Sequence, residues 1–426
     1  MLLTGDVMDV LPTLKANSFD AMLTDPPYGL EFMGQEWDGR VPGPEVWREC
    51  LRVLKPGAFA LVFGGTRTFH RLAVALEDAG FELKDTLMWV HSQGFPKSYD
   101  VSKGIDKALG AKRPVIATIP DRWAGKGAVL QRATQSERAE AHITAPATPE
   151  AERWQGYGTA LKPAYEPILL VRKPTPLTFA RNALRHGTGA LNIDGARVPT
   201  NDAFGGGRKA TSGFVSGYEH DGWQPGSEKG RWPSNLIHDG SDEVVSLFPS
   251  TTSHGHTPAR RGKGGISTNG HRGQEGVDEA YFDTGSAARF FYATKASTRE
   301  REAGLDDLPE QLFAQSGGAQ AALARGESEY QGEDASTGLN RVKKRRNVHP
   351  TVKPLALTRY LATLLLPPER DTPRRILVPF AGSGSEMIGA RQAGWDEAVG
   401  IELNPEYVAI AERRIAHWLE RNARSR

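Results

Sequence analysis

Four short stretches of the chain combine residue types and spacing that could do chemistry. The first is Asp25-Pro26-Pro27-Tyr28, which follows the apolar run Ala21-Met22-Leu23-Thr24. Prolines have no N–H, so this turn presents only acceptors, carbonyl oxygens and a carboxylate, followed by an aromatic ring. That set suits an exocyclic amino group on a planar base. Asp25 and the Pro26 carbonyl would accept its two N–H bonds, and Tyr28 would stack on the ring. A plain turn is the competing reading, and the position after a strand argues against it. The second stretch is Phe380-Ala381-Gly382-Ser383-Gly384, between a strand pattern and a helix pattern. Glycines there let a ligand approach the backbone, and the next helix offers free N–H groups. Glu402 ends the following strand, where a carboxylate can accept two ribose hydroxyl protons. A nicotinamide fold fits less well, because Met387 stands where the third glycine belongs. The third stretch, His349-Pro350-Thr351-Val352-Lys353-Pro354, reads alone as a loop before a helix. The fourth is Gly5-Asp6, where Asp6 could bond an adenine amino group or simply cap a turn.

Strands and helices must place these groups. In the first ninety residues, Ala58–Phe63 and Thr86–Val90 read as strands beside 21–24. Val46, Cys50, Leu51 and Leu54 make a helical stripe that Lys55-Pro56-Gly57 should stop, and Phe69, Leu72, Ala73 and Leu76 make another. Residues 91–160 read as irregular, and Glu166–Arg172 as one more strand. After residue 350 the alternation returns: a helix face at Leu357, Tyr360, Leu361 and Leu364, strands at Arg375–Val378 and Glu397–Glu402, and a last helix. A glycine turn of this kind normally opens a sheet, yet one strand and one helix cannot make a stable sheet alone. The missing strands must come from the N-terminal part. The expected fold is α/β, a circularly permuted sheet split around an insert.

Composition agrees with such a layout. The chain has 426 residues with a formal net charge of +2, and 16 of its 47 glycines fall in residues 201–276. Basic residues gather at Arg341-Val342-Lys343-Lys344-Arg345-Arg346. The single cysteine, Cys50, excludes an intramolecular disulfide and a cysteine-based metal cluster. There is no apolar run long enough to span a membrane and no signal-like N-terminus, so a cytoplasmic location is expected. His254, His256 and His271 lack ligand spacing, and no metal is expected.

In this order, the Asp-Pro-Pro-Tyr, His-Pro-Thr-x-Lys-Pro and Pro-Phe-Ala-Gly-Ser-Gly motifs resemble those of the β-class amino-methylating (N6-adenine/N4-cytosine) DNA methyltransferases. The phage and prophage type is the most similar. Lys162–Ile168, Ala190–Gly195, Gly230–Asn235 and Arg289–Tyr292 are further similar stretches. The resemblance implies a Rossmann-like S-adenosylmethionine-dependent methyltransferase sheet with an inserted irregular target-recognition domain. The catalytic half would be 1–174, the recognition domain 175–345 and the cofactor-binding half 346–426. By position, Asp25, Pro26, Pro27 and Tyr28 would hold a flipped base. Phe380, Gly382 and Gly384 would line the methionine part of S-adenosyl-L-methionine. Glu402 would bind the ribose, Asp6 would sit near the adenine, and Thr351 with Lys353 would lie near the cofactor's carboxylate end. Ala381, Ser383 and Asn404 complete the cofactor set. The chain departs from the family at Val378, where Asp is usual, and at Ser385, where Thr is frequent.

The function so implied is methyl transfer to the exocyclic amino group of a base in double-stranded DNA. Asp at the head of the tetrapeptide is more typical of the N6-adenine enzymes. N4-cytosine is the alternative, and a decayed, cofactor-free DNA-binding protein on the same scaffold is a third reading. Lys343, Lys344, Arg345 and Arg346 are expected at DNA phosphates. No membrane partner is expected. A homodimer and a cognate restriction endonuclease stay open as partners.

Overall fold

The fold was analysed in a computed structural model that describes residues 1–30, 38–92, 98–120, 140–199, 230–254, 282–293, 298–314 and 342–424. Its strands in chain order are Leu2–Thr4 (β1), Phe19–Thr24 (β2), Leu54–Phe63 (β3), Glu82–Val90 (β4) and Val115–Pro120 (β5). Glu140–Thr144 (β6), Tyr165–Arg172 (β7), Leu236–His238 (β8), Ser250–His254 (β9) and Phe282–Ser286 (β10) follow. The last five are Tyr292–Ala293 (β11), Gln311–Ala314 (β12), Val342–Arg345 (β13), Arg375–Val378 (β14) and Glu397–Glu402 (β15).

Nine strands form one sheet in the order β1-β15-β14-β2-β3-β7-β4-β8-β11. From β1 to β3 all neighbours are parallel, and β7 runs antiparallel between β3 and β4. The seam of the permutation is the β14–β2 pair, where Ile376 faces Ala21 and Leu377 faces Met22. Residues from the two ends of the chain thus share one sheet, as its unfinished C-terminal half requires. Asp20 ties the seam at the strands' starting ends. Its buried carboxylate accepts from Lys55 Nζ at 2.6 Å, Arg370 Nη2 at 2.6 Å and the Arg375 N–H at 2.8 Å.

Both faces of the sheet are covered, so its central strands carry continuous apolar runs rather than alternation. The helix Leu355–Leu365 buries Leu357, Tyr360 and Leu361 on one face. Helices Pro44–Val53 and Phe69–Asp78 bury Trp47, Cys50, Leu72 and Leu76 on the other. Each such side chain contributes about 1.5–3 kcal/mol relative to exposure.

Three details differ from the sequence reading. Lys55-Pro56-Gly57 ends the helix but already belongs to β3, which starts at Leu54 and reaches β2 through a register shift. The 91–160 stretch is not wholly irregular. It carries a helix, Val101–Ala108, pinned by Arg113 to Asp106 at 2.6 Å, a β5–β6 hairpin, and a second helix, Pro149–Arg153. Short β8 and β11, from within the presumed recognition segment, extend the main sheet. Much of the glycine-rich stretch, with His256 and His271, lies outside the described residues, as does the His254 side chain. Among the described residues no group of His, Cys, Asp or Glu could hold a metal, and no helix is long and apolar enough to cross a membrane.

Candidate active site

β2 and β14 lie side by side and parallel, so the segments that leave their carboxyl ends must meet. One is Asp25–Tyr28 and the other is Pro379–Gly384. A crevice at the carboxyl end of such strands is where open α/β sheets bind ligands. Pro26 and Pro27 stop β2, and a buried carboxylate fixes the path beyond them. Asp38 accepts from the N–H groups of Tyr28 at 2.6 Å, Gly29 at 3.0 Å and Leu30 at 3.3 Å.

Asp25 sits in a buried four-residue network. Its Oδ2 is 2.8 Å from Lys353 Nζ, and its Oδ1 accepts from the Tyr28 hydroxyl at 2.7 Å. Lys353 Nζ also reaches Glu166 Oε2 at 2.9 Å and the Tyr28 oxygen at 3.1 Å. The Tyr28 oxygen lies 3.0 Å from Glu166 Oε2. The Lys353 side chain is only 5% exposed, and its ammonium lies 4.8 Å from the Phe63 ring centre. Burial works against charge on Lys353, and the two carboxylates more than reverse this, holding it protonated. Burial pushes the Asp25 carboxyl above its usual range, against the pull of Lys353. Burial opposes ionisation of Glu166 as well, but there Lys353 prevails and the carboxyl is held low. Burial and then the neighbouring carboxylates drive the Tyr28 phenol well above its usual range. His91 Nε2 stands 3.7 Å from Glu166 Oε1, and burial lowers its affinity for a proton.

The glycine turn is held from three sides. Gly382 and Gly384 adopt φ of 51° and 81°, left-handed values that a residue with a Cβ rarely takes. The Gly382 N–H donates to Glu402 Oε2 at 2.8 Å and the Asn404 N–H to Glu402 Oε1 at 2.9 Å. Each carboxylate oxygen keeps a lone pair for a further donor. Burial raises the Glu402 carboxyl above its usual range. From the second side, the fully buried Arg414 of the helix Pro405–Arg424 donates to the Ser383 carbonyl, Ser383 Oγ and Ser385 Oγ. On the third side lies His349, so close that a Cβ on Gly382 would meet its Nε2 at 2.7 Å. His349 Nδ1 is paired with the Thr351 carbonyl, and burial drives its pKa down to about 3.

The remaining expected residues fall into place unevenly. Phe380 packs edge-on against Trp47 at 6.1 Å, and Ala381 is buried behind it. Asp6 caps the helix Val7–Val10 by accepting from the Met8 N–H at 2.7 Å, while its neighbour Gly5 donates to the Glu402 carbonyl at 3.0 Å. Asn404 caps the last helix through the Glu406 N–H at 2.8 Å. The Ser383 hydroxyl accepts from Arg414 at 2.8 Å. Lys353, expected near the cofactor's carboxylate end, lies against Asp25. Val378 is fully buried in the core.

The basic run also differs from a free chain. It forms β13, with Lys343 and Lys344 opposite Phe313 and Leu312. Arg346 pairs with Glu310 at 3.1 Å, and Arg345 is partly buried. Arg341 and the side chains of Lys343 and Lys344 lie outside the described residues.

Four contributors had not been singled out from sequence: Glu166, Asp38, Arg414 and Glu386. Glu166 lay within the recognised stretch Lys162–Ile168, and Glu386 directly follows the glycine turn, so for both a signal existed. Glu386 is 3% exposed, its Oε1 has no hydrogen-bond partner among the described residues, and burial and then the Asp25 charge push its carboxyl up to about 7.

A parallel-dominated sheet with a glycine turn, an acidic strand end and an Asp-Pro-Pro-Tyr turn at one crevice is the Rossmann-like fold of S-adenosylmethionine-dependent methyltransferases. The chain belongs to the DNA methylase family that unites N6 and N4 enzymes, whose profile matches residues 19–413. That family uses S-adenosylmethionine. The chain is 33% identical over 162 residues to the type II methyltransferase M.HindIII of Haemophilus influenzae, covering 37% of this chain and 38% of that protein. It is 29% identical over 116 residues to M.HpaI of Haemophilus parainfluenzae, covering 25% and 37%. These matches span well under half the length of either relative. Among solved structures, the M1.HpyAVI-SAM complex aligns over 97% of this chain and 98% of its own, with 13% identity and a TM-score of 0.37. PvuII DNA methyltransferase, described as cytosine-N4-specific, aligns over 99% and 91%, with 13% identity and a TM-score of 0.38.

Proposed function

We propose that the protein transfers a methyl group from S-adenosylmethionine to the exocyclic amino nitrogen of a flipped base in double-stranded DNA, N6 of adenine before N4 of cytosine. The observation that carries this reading is the Asp25 carboxylate, held at the end of β2 beside the glycine turn that ends β14. The residues present fit the cofactor. The glycine turn holds left-handed backbone, Glu402 has acceptor capacity left for a ribose diol, and Glu386 holds a buried oxygen nearby that is unpartnered among the described residues.

When bound, S-adenosylmethionine supplies an electrophilic methyl group on its sulfonium. The protein must make the amino nitrogen a better nucleophile, since its lone pair is delocalised into the ring. Asp25 and the Pro26 carbonyl accept its two N–H bonds, which favours a tetrahedral nitrogen and stabilises the positive charge that develops there. A carboxylate has about four lone-pair sites, so Asp25 can accept from a base while bonded to Lys353 and Tyr28. Flipping the base costs a few kcal/mol, and stacking on Tyr28 returns about 1–3 kcal/mol. Asp rather than Ser at position 25 supports adenine over cytosine.

The basic run at 341–346 is the proposed phosphate contact, with Lys343 and Lys344 its main members, since Arg346 is engaged by Glu310. Residues 175–345 are the proposed target reader. The type II names of the two relatives make a cognate endonuclease a partner to test, together with a homodimer. To test the transfer itself, protein, methyl-labelled cofactor and mixed-sequence duplex DNA are incubated together. Label retained on the DNA supports the reading, and unlabelled DNA overturns it.

A further inference from the structure

The charges around Asp25 do not cancel. Lys353 alone would neutralise Asp25 one for one, since its Nζ lies 2.8 Å from Asp25 Oδ2. A second carboxylate, Glu166, meets the same ammonium at 2.9 Å and the same phenol oxygen at 3.0 Å. It comes from β7, the antiparallel strand beside β3, where it stands opposite Trp89 of β4. Its side chain is 24% exposed, against 14% for Asp25 and 5% for Lys353, so it borders the crevice rather than lying beneath it. Two carboxylates share one ammonium. Among the described residues the pocket therefore carries a net negative charge where the reaction creates a cation.

We propose that Glu166 is a positioning residue for methyl transfer: it draws the Lys353 ammonium off Asp25 and leaves the base pocket with one uncompensated negative charge. The inference rests on the methyl-transfer reading above. Without Glu166, Lys353 belongs to Asp25 alone, and the carboxylate that must accept the amino protons is spent on an internal ion pair. A half-buried charge is screened less than one at the surface, so losing it weakens the stabilisation of the developing ammonium. The transfer stays balanced: the nitrogen–methyl bond forms as the sulfonium–methyl bond breaks, and the proton lost from nitrogen passes to Asp25 and on to solvent.

Other charged groups face this network. Glu386 faces Asp25 from the helix Ser385–Ala393, and His91 faces Glu166 from just beyond β4. Neither supplies a second cation to the pocket: Glu386 is an acid, and burial disfavours protonation of His91.

The test is Glu166→Gln in the full-length protein, which removes the charge and keeps the shape. The expected result is a fall in kcat of about 10- to 100-fold, with S-adenosylhomocysteine binding and Tm close to wild type and KM for DNA changed little. Because Glu166 is one of the causes that raise the Asp25 pKa, the acid limb of the pH–rate profile should also move to lower pH. The double variant Glu166→Gln/Lys353→Met restores a net negative pocket and should turn over faster than Glu166→Gln alone. Unchanged kcat in Glu166→Gln overturns the inference, and so does a fall in kcat matched by equal losses in cofactor binding and Tm. Wild-type protein that binds S-adenosylhomocysteine but transfers no methyl group overturns the methyl-transfer reading itself, and this inference with it.

Discussion

Lys353 Nζ lies 2.8 Å from Asp25 Oδ2, joining a loop near the end of the chain to a turn near its start. Lys353 stands just before the helix Leu355–Leu365, and Asp25 directly follows β2. The contact makes the Asp25–Tyr28 turn and the His349–Pro354 loop one electrostatic unit. The consequences can be measured.

Asp25→Ala should reduce methyl transfer by at least about 100-fold while leaving cofactor binding near wild type. Asp25→Asn should be nearly as poor, because the amide puts a donor where the base needs an acceptor. Single-turnover transfer and calorimetric titration with S-adenosylhomocysteine check the two halves. Near-normal turnover in either variant would show that Asp25 does not carry the chemistry.

Lys353→Met should destabilise the fold by up to about 3 kcal/mol, since it leaves the half-buried carboxylates of Asp25 and Glu166 together without their cation. Adding Glu166→Gln should return part of that loss. Urea unfolding of the two single variants and the double closes the cycle, and additive losses would mean the three groups do not interact as described.

His349 gives the fold an acid limit. Its folded pKa is near 3, below the ordinary 6.5, so the unfolded chain binds more protons between those values. The stability tied to its neutral form is complete above about pH 6.5 and drains away as pH falls toward 3, at about 1.4 kcal/mol per pH unit. Tm measured from neutral to about pH 4.5 should therefore fall less steeply in His349→Asn than in wild type. Parallel curves would contradict the burial of a neutral imidazole.

Lys343→Ala/Lys344→Ala should lower affinity for all duplex sequences alike and flatten the salt dependence by up to about two phosphate contacts. Unchanged salt dependence would move the DNA contact elsewhere.

Much of the fold was legible because it was dictated locally. The apolar runs at 58–63 and 375–378 can only be covered strands, and a glycine turn followed by one strand and one helix has to borrow the rest of its sheet. Asp25 and Glu402 were legible for a similar reason, each standing just where a strand ends. Glu166 and Arg414 were not. Their roles depend on β7 entering antiparallel between β3 and β4, and on the last helix folding back over Ser383, long-range facts that no local pattern encodes. Lys353 is legible as a motif residue, but its contacts with Asp25 and Glu166 are long-range facts that spacing in sequence does not fix.

The most direct measurement supplies wild-type protein with cofactor bearing a mass-labelled methyl group and duplex DNA of mixed sequence, then digests the DNA and identifies the labelled nucleoside. The account predicts N6-methyladenine carrying the label, and none with Asp25→Ala. Label at N4 of cytosine would contradict the choice of base, and no labelled nucleoside at all would contradict the account as a whole.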